Sequence, residues 1–180
     1  ALQKSKAFMQ QNVEALSKGT SSSYSGFWKT AALVAAGIDP SYYQYASATS
    51  PYAEGSDWLK PVDKAFTPVN TNAGYVLGAI HLGFDPTNLK TRNFVDDLAK
   101  QQKEDGSFGQ INNEAFALLA LDLAGTTYDK EKHLQAIIAM QDETGIFPAW
   151  GSLDSTGWAL MALAPYKDRE DVAKTIERAV

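Results

Sequence analysis

The sequence predicts an all-α fold, a curved stack of helical hairpins with buried helices inside and half-polar helices outside. Three observations lead there. The motif Gln-x-x-x-Gly-x-Phe occurs at Gln102–Phe108 and again at Gln141–Phe147, 39 residues apart. Four apolar runs open on an aromatic residue, at Trp28, Tyr75, Phe116 and Trp158, with intervals of 47, 41 and 42 residues. Between them lie segments whose apolar residues recur every three or four positions, the mark of a single helix face. A period near 42 leaves room for two helices of about 11–12 residues and two turns.

The elements follow in order. A helical pattern starts at Ala1, which predicts a mature or trimmed N-terminus and a leading outer helix. The connector KGTSSSYS (18–25) leads into WKTAALVAAGIDP from Trp28, the first inner helix. Residues 40–68 are rich in Tyr, Ser, Pro and Gly. They predict a long irregular loop near 47–57 and a short helix around 58–65, and loops of this length are usually functional or disordered. YVLGAIHLGFDP, FALLALDLAGTT and WALMALAPYKD then give three more inner helices. NEAFALLALDLA (113–124) is polar only at Asn113, Glu114 and Asp122, and a helix apolar on every side is buried on every side. The outer helices are 91–103, with Phe94, Val95 and Leu98 inward; 129–141, with Leu134, Ile137 and Ile138 inward; and 168–180, with Val172, Ile176 and Val180 inward. Asn72, Asn113 and Ser155 precede the apolar runs and are expected as N-caps. Gly37, Gly83 and Gly125 follow the runs, where a left-handed residue closes a helix. The pairs Asp39-Pro40 and Asp85-Pro86 begin new segments. No linker divides the chain, so 1–180 is expected to be one domain.

Composition narrows the function classes. Net charge is −5 and pI about 5.0 without a basic cluster, which disfavours nucleic acid and anionic lipid as partners. There is no cysteine, hence no disulfide, thiol nucleophile or thiolate metal site. No apolar run approaches the ~20 residues of a membrane span, and no signal peptide is visible.

The repeated motif resembles the QW-type motif of squalene cyclases. With alternating inner and outer helices, the chain resembles the α/α-toroid superfamily of terpenoid cyclases and protein prenyltransferases. It is most similar to bacterial secreted or cell-surface proteins with prenyltransferase-like repeats, relatives of intrinsic factor and transcobalamin. The runs WKTAALVAAGIDP, DLAKQQKEDGSFGQINNEAFALLALDLAG and DSTGWALMALAPYKDREDVAKTIERAV carry the likeness in the same order. The resemblance implies an α/α toroid, here a partial ring of about four hairpins, and a secreted or cell-surface location. Cobalamin enters only as the family's analogy. In the motif, Gln102 and Gln141 end outer helices and satisfy loose backbone groups, Gly106 and Gly145 permit the turn, and Phe108 and Phe147 pack over the helix end. Structural stapling is the favoured role, and direct ligand contact the alternative.

In such a ring the N-terminal ends of the inner helices form a mouth. Its candidate ligand-binding residues are Trp28, Asn72, Tyr75, Asn113, Glu114, Trp150, Asp154, Ser155 and Trp158, where free amide hydrogens and aromatic faces meet. Taken singly, the polar ones read as caps and the aromatics as core. Glu114 either faces the cavity or complements its own helix dipole. His81 reads as a core histidine, and His133, among Lys130, Glu131 and Lys132, as a solvated one. Catalysis lacks its parts. The zinc set of prenyltransferases needs a cysteine. VDDL (95–98) does not match the Asp-x-Asp-Asp of protonating cyclases, and two histidines assemble no credible triad.

A non-enzymatic binding or interaction module is therefore the first expectation. An isoprenoid- or polysaccharide-processing enzyme and a structural surface element with a closed core are the alternatives. An incomplete ring leaves an apolar edge, to be covered by further sequence, another domain or a second copy of the chain.

Overall fold

The computed structural model describes residues 2–12, 34–37, 68–89, 91–149 and 152–180. Among these residues the regular elements are helical, beside one isolated bridge between Leu89 and Arg92. The expected all-α class holds there. The loop at 47–57, the helix at 58–65, the connector at 18–25, and Trp28 and Trp150 lie outside the described residues. The chain divides into two compact units, Ala1–Asp96 and Asp97–Val180.

In the first unit, α1 (Leu2–Gln11) is tied to the end of the first apolar run, where Gln10 Nε2 donates to the Ala36 carbonyl at 2.9 Å. That run ends on Gly37 with φ 83°. The helix α2 (Val69–Leu82) buries Ala73, Val76, Leu77 and Ala79 and closes on Gly83 with φ 77°. Asp85 opens the next turn, its carboxylate accepting from the Thr87 hydroxyl and N–H, and these bonds hold its pKa below the usual range. Asn93 accepts from Asp96 N at 2.9 Å and caps α3 (Phe94–Ala99), shorter than the 91–103 expected. Phe94, Val95 and Leu98 are buried, as their spacing predicts.

The second unit contains α4 (Ile111–Ala124), α5 (Lys130–Ala139), α6 (Ser152–Leu163), a single 3₁₀ turn (Ala164–Tyr166) and α7 (Glu170–Ala179). Ile111, Ala115 and Leu118 of α4 share one core with Leu134 and Ile137 of α5, Ala159, Ala162 and Leu163 of α6, Val172 of α7, and Phe147. A buried leucine is worth roughly 1.5–3 kcal/mol, so this shared core sets the packing. The outer helices keep their charges outward. Arg169 reaches Glu131 at 2.5 Å and Asp171 at 2.8 Å, linking α5 to the start of α7, and its hydrogen bonds lower the pKa of both carboxylates.

The expected N-caps are corrected. The helix α2 begins at Val69 after Pro68 and α4 at Ile111 after Gln110, while α6 begins at Ser152. Asn72, Asn113 and Ser155 thus lie inside their helices. The apolar run marks where burial starts, and the backbone coils about a turn earlier.

Both corners carry the same joinery. Gln102 Nε2 donates to Gly106 O at 2.9 Å and to Asp129 O at 2.8 Å, while its Oε1 accepts from Asp129 N at 3.2 Å. Gln141 Nε2 donates to Gly145 O at 2.9 Å and to Thr175 O at 2.8 Å. Each glutamine closes its own turn and pins it to the following outer helix or that helix's cap, and Phe108 and Phe147 are buried beneath. Replacing Gln102 by Ala removes three bonds that include the N-cap residue of α5. Denaturant unfolding should show a loss of roughly 1–3 kcal/mol, with the slope unchanged.

Candidate functional site

The expected mouth residues separate by environment. Asn72 is buried in α2, and Tyr75 is half-buried with its ring 4.4 Å from Phe94. In the second unit Ser155 is fully buried, Asp154 is exposed and Asn113 is half-buried. Trp158 is half-buried, its ring edge-on to the buried Phe116 at 5.0 Å. His81 is half-buried in α2, with Nδ1 2.7 Å from the Leu77 carbonyl of its own helix.

Glu114 lies in the first turn of α4, the position expected of a carboxylate that complements its helix dipole. Its side chain is fully buried and reaches back to the first corner. Its Oε1 accepts from Phe108 N and Gly109 N, both at 2.7 Å, and Oε2 lies 2.9 Å from His133 Nε2. His133 is likewise fully buried, which corrects its reading as a solvated residue. The reason is phase. His133 stands beside Leu134 and one turn before Ile137 on the inward face of α5, whereas Glu131 and Lys132 point out. Its ring packs 4.7 Å from Phe108, and its Nδ1 is 3.4 Å from the Tyr128 hydroxyl. The second corner solves the same problem with a smaller group, Phe147 N donating to Thr156 Oγ1 at 3.1 Å.

A second polar cluster flanks the far end of α4. Asp122 accepts from the Tyr166 hydroxyl and lies 2.5 Å from Lys130 Nζ, which sits over the Tyr128 and Tyr166 rings. Burial, then the charge of Asp122, pushes the Tyr128 phenol far above its ordinary range. Burial and the bond to Asp122 raise Tyr166, and the bond to Asp122 raises Lys130. Raised phenols are poor acids, so this cluster ties the 3₁₀ turn to α4 and α5 rather than supplying a proton donor.

Beside the first corner lies a cavity of about 410 Å³, lined by Gly109, Gln110, Ile111, Met140, Pro148 and Ala149. Three stretches meet there: the end of the first motif with the start of α4, the cap of α5, and the stretch after the second motif. The wall at Gly109 is held by Glu114. Lys103 Nζ and Asn113 Nδ2 are the groups nearest the point where a Gly109 side chain would begin, at 3.8 and 3.7 Å. The α4 helix starts in this wall with no side chain capping it. Amide hydrogens of a first turn lack helical partners. The cavity thus joins apolar side chains to a helix N-terminus, with the Asn113 amide and the Lys103 ammonium group close to Gly109 in its wall.

Sequence reading names none of the six lining residues, although Pro148 and Ala149 directly precede the candidate Trp150. The repeated motif was the available signal, because each corner delivers the chain to an inner-helix N-terminus. Among the described residues no group of three or more His, Asp or Glu side chains is placed to hold a metal ion, and no helix is long and apolar enough to cross a membrane. No family model, curated protein or solved structure matches this chain.

Proposed function

We propose that the chain is a binding module rather than a catalyst, an arc of an α/α toroid carried by an exported or cell-surface protein. It holds a small molecule with an apolar body and one anionic or hydrogen-bonding group. The observation that carries this reading is the cavity of about 410 Å³ at the start of α4. Its size lies within the range of small-molecule sites, and its mixed lining suits such a ligand. Ile111 and Met140 would take the apolar body, and the first turn of α4 with Asn113 and Lys103 the polar end. A corrinoid is far larger than this cavity and is not the ligand proposed. The Glu114–His133 pair supports no enzymatic role, since both side chains are sealed from substrate.

Anilinonaphthalene sulfonate, an aromatic anion, is a suitable probe. Its fluorescence should titrate saturably with one site per chain. Ala149→Trp should abolish that signal while leaving the far-UV spectrum and unfolding midpoint of the protein unchanged. A non-saturable signal, or one indifferent to Ala149→Trp, contradicts the reading. A structural surface element with a closed core is the second reading, favoured by the tight Phe116–Trp158 contact. It predicts no saturable binding.

A further inference from the structure

We propose that binding at the cavity beside the first corner is linked to one proton on His133, an anion being held more tightly when His133 Nδ1 carries that proton than when it does not. This linkage rests on the binding reading above and adds a pH dependence to it. A buried polar chain runs into the cavity wall. Gly109 lines the cavity, and its N–H donates to Glu114 Oε1 at 2.7 Å. Glu114 Oε2 lies 2.9 Å from His133 Nε2, and His133 Nδ1 lies 3.4 Å from the Tyr128 hydroxyl. The Glu114 and His133 side chains are fully buried.

The internal repeat indicates that the corner does not need ionisable groups. Aligning Phe116 with Trp158 puts Thr156 where Glu114 stands and Thr175 where His133 stands. Both threonines are buried. Thr156 Oγ1 accepts from Phe147 N at 3.1 Å, the task that Glu114 performs for Phe108 N at 2.7 Å. Thr175 turns its hydroxyl to its own helix, donating to Asp171 O at 2.9 Å. Two hydroxyls thus serve the second corner without a charge. Ionisable groups are costly to bury, and at the first corner their bonds reach Gly109 in the cavity wall.

One proton lies between Nε2 and Oε2 whatever the charge of the pair. The proton that can come and go is the one on Nδ1. That nitrogen faces a phenol, which accepts from an N–H or, with its hydrogen turned, donates to the bare nitrogen. Burial, then the charge of Asp122, pushes the Tyr128 phenol far above its ordinary range, so it stays protonated and can play either part. Turning one hydrogen therefore accommodates both states, and the bonds to Phe108 N and Gly109 N are kept in each. What differs is charge. With the proton the pair is neutral overall; without it a single negative charge lies buried behind the wall, and a poorly polarisable interior carries its repulsion to an anion in the cavity. Beyond Tyr128, Asp122 and Lys130 form an ion pair of their own, with Lys130 over the Tyr128 ring. Asp129, Glu131 and Lys132, the near neighbours of His133 in the chain, are exposed and screened by water.

The chain has only two histidines, so each ring can be followed separately by nuclear magnetic resonance. Anilinonaphthalene sulfonate keeps its charge throughout, and its Kd should rise about fivefold between about pH 5 and 8. In the native chain the His133 ring signal should titrate across this range. Saturating probe should move that titration to higher pH, because the linkage is reciprocal, and should leave His81 where it was. His133→Gln should flatten the pH profile of binding, and His81→Gln should not. A His133 signal that stays fixed from about pH 5 to 8, or a titration that ignores the probe, overturns the linkage while saturable binding upholds the site. A pH profile unchanged in His133→Gln does the same. A chain that gives no saturable signal at any pH fails the binding reading itself, and the linkage with it.

Discussion

Replacing Glu114 by Ala is expected to lower stability by about 3–5 kcal/mol, the cost of breaking a buried pair from one side. The carboxyl group accepts from Phe108 N and Gly109 N and faces His133 Nε2 at 2.9 Å, and of these Phe108 N and the His133 side chain are buried. Deleting it strands those two buried groups, and an orphaned buried donor costs roughly 1–3 kcal/mol. Native stability is typically only about 5–15 kcal/mol, so the variant should unfold near or below ordinary growth temperatures. Glu114→Gln keeps an oxygen for the backbone donors and should lose about half as much. Chemical denaturation of both, together with His133→Ala and the double variant, measures the coupling directly. A coupling energy near zero would mean that the pair is incidental to the fold. Because Gly109 lines the cavity, Glu114→Gln should also weaken probe binding at temperatures where it remains folded.

Gly145→Ala should be nearly as damaging, for a different reason. Gly145 has φ 88°, and a Cβ there would stand 1.9 Å from the Arg178 carbonyl oxygen and 2.7 Å from its carbon. These are backbone atoms of α7 and cannot swing aside. The methyl group must push the corner off the helix and break the Gln141–Thr175 bond. Left-handed strain for an L-residue adds about 1–2 kcal/mol. We expect a total above about 3 kcal/mol, with α7 becoming the first segment cleaved in limited proteolysis. Gly125→Ala is the control. It shares a positive φ of 65° but meets nothing within 4 Å, and so should cost about 1 kcal/mol. Equal losses at the two positions would show that the corner's close packing contributes little.

The features that could be read from the sequence are those that depend on near neighbours. Phe116 to Leu121 form an apolar run, and a helix with no polar side must be enclosed. Phe94, Val95 and Leu98 fix one face by spacing alone, and Gly83 and Gly125 mark helix ends because few other residues tolerate that conformation. The glutamine staple could be anticipated because it is written twice. The pairing of Glu114 with His133 could not be. Nothing local shows that the Glu114 side chain turns back across the corner, and the charges at 130–132 hide the inward phase of His133. The helix starts escape the sequence for a related reason, since Ile111 and Val69 open their helices ahead of Asn113 and Asn72. The cavity was invisible because Ile111, Met140 and Ala149 come from three stretches that meet only in the folded unit.

Amide hydrogen exchange tests the central claim most directly, namely that near-wholly apolar helices are sheathed by half-polar ones. In the second unit the amides of Ala115 to Leu121 should exchange only through global unfolding, with protection equal to the measured stability. Those of α7 should exchange earlier, through a smaller opening that leaves α4 intact. Amides of α4 that exchange as readily as those of α7 would contradict the layered arrangement.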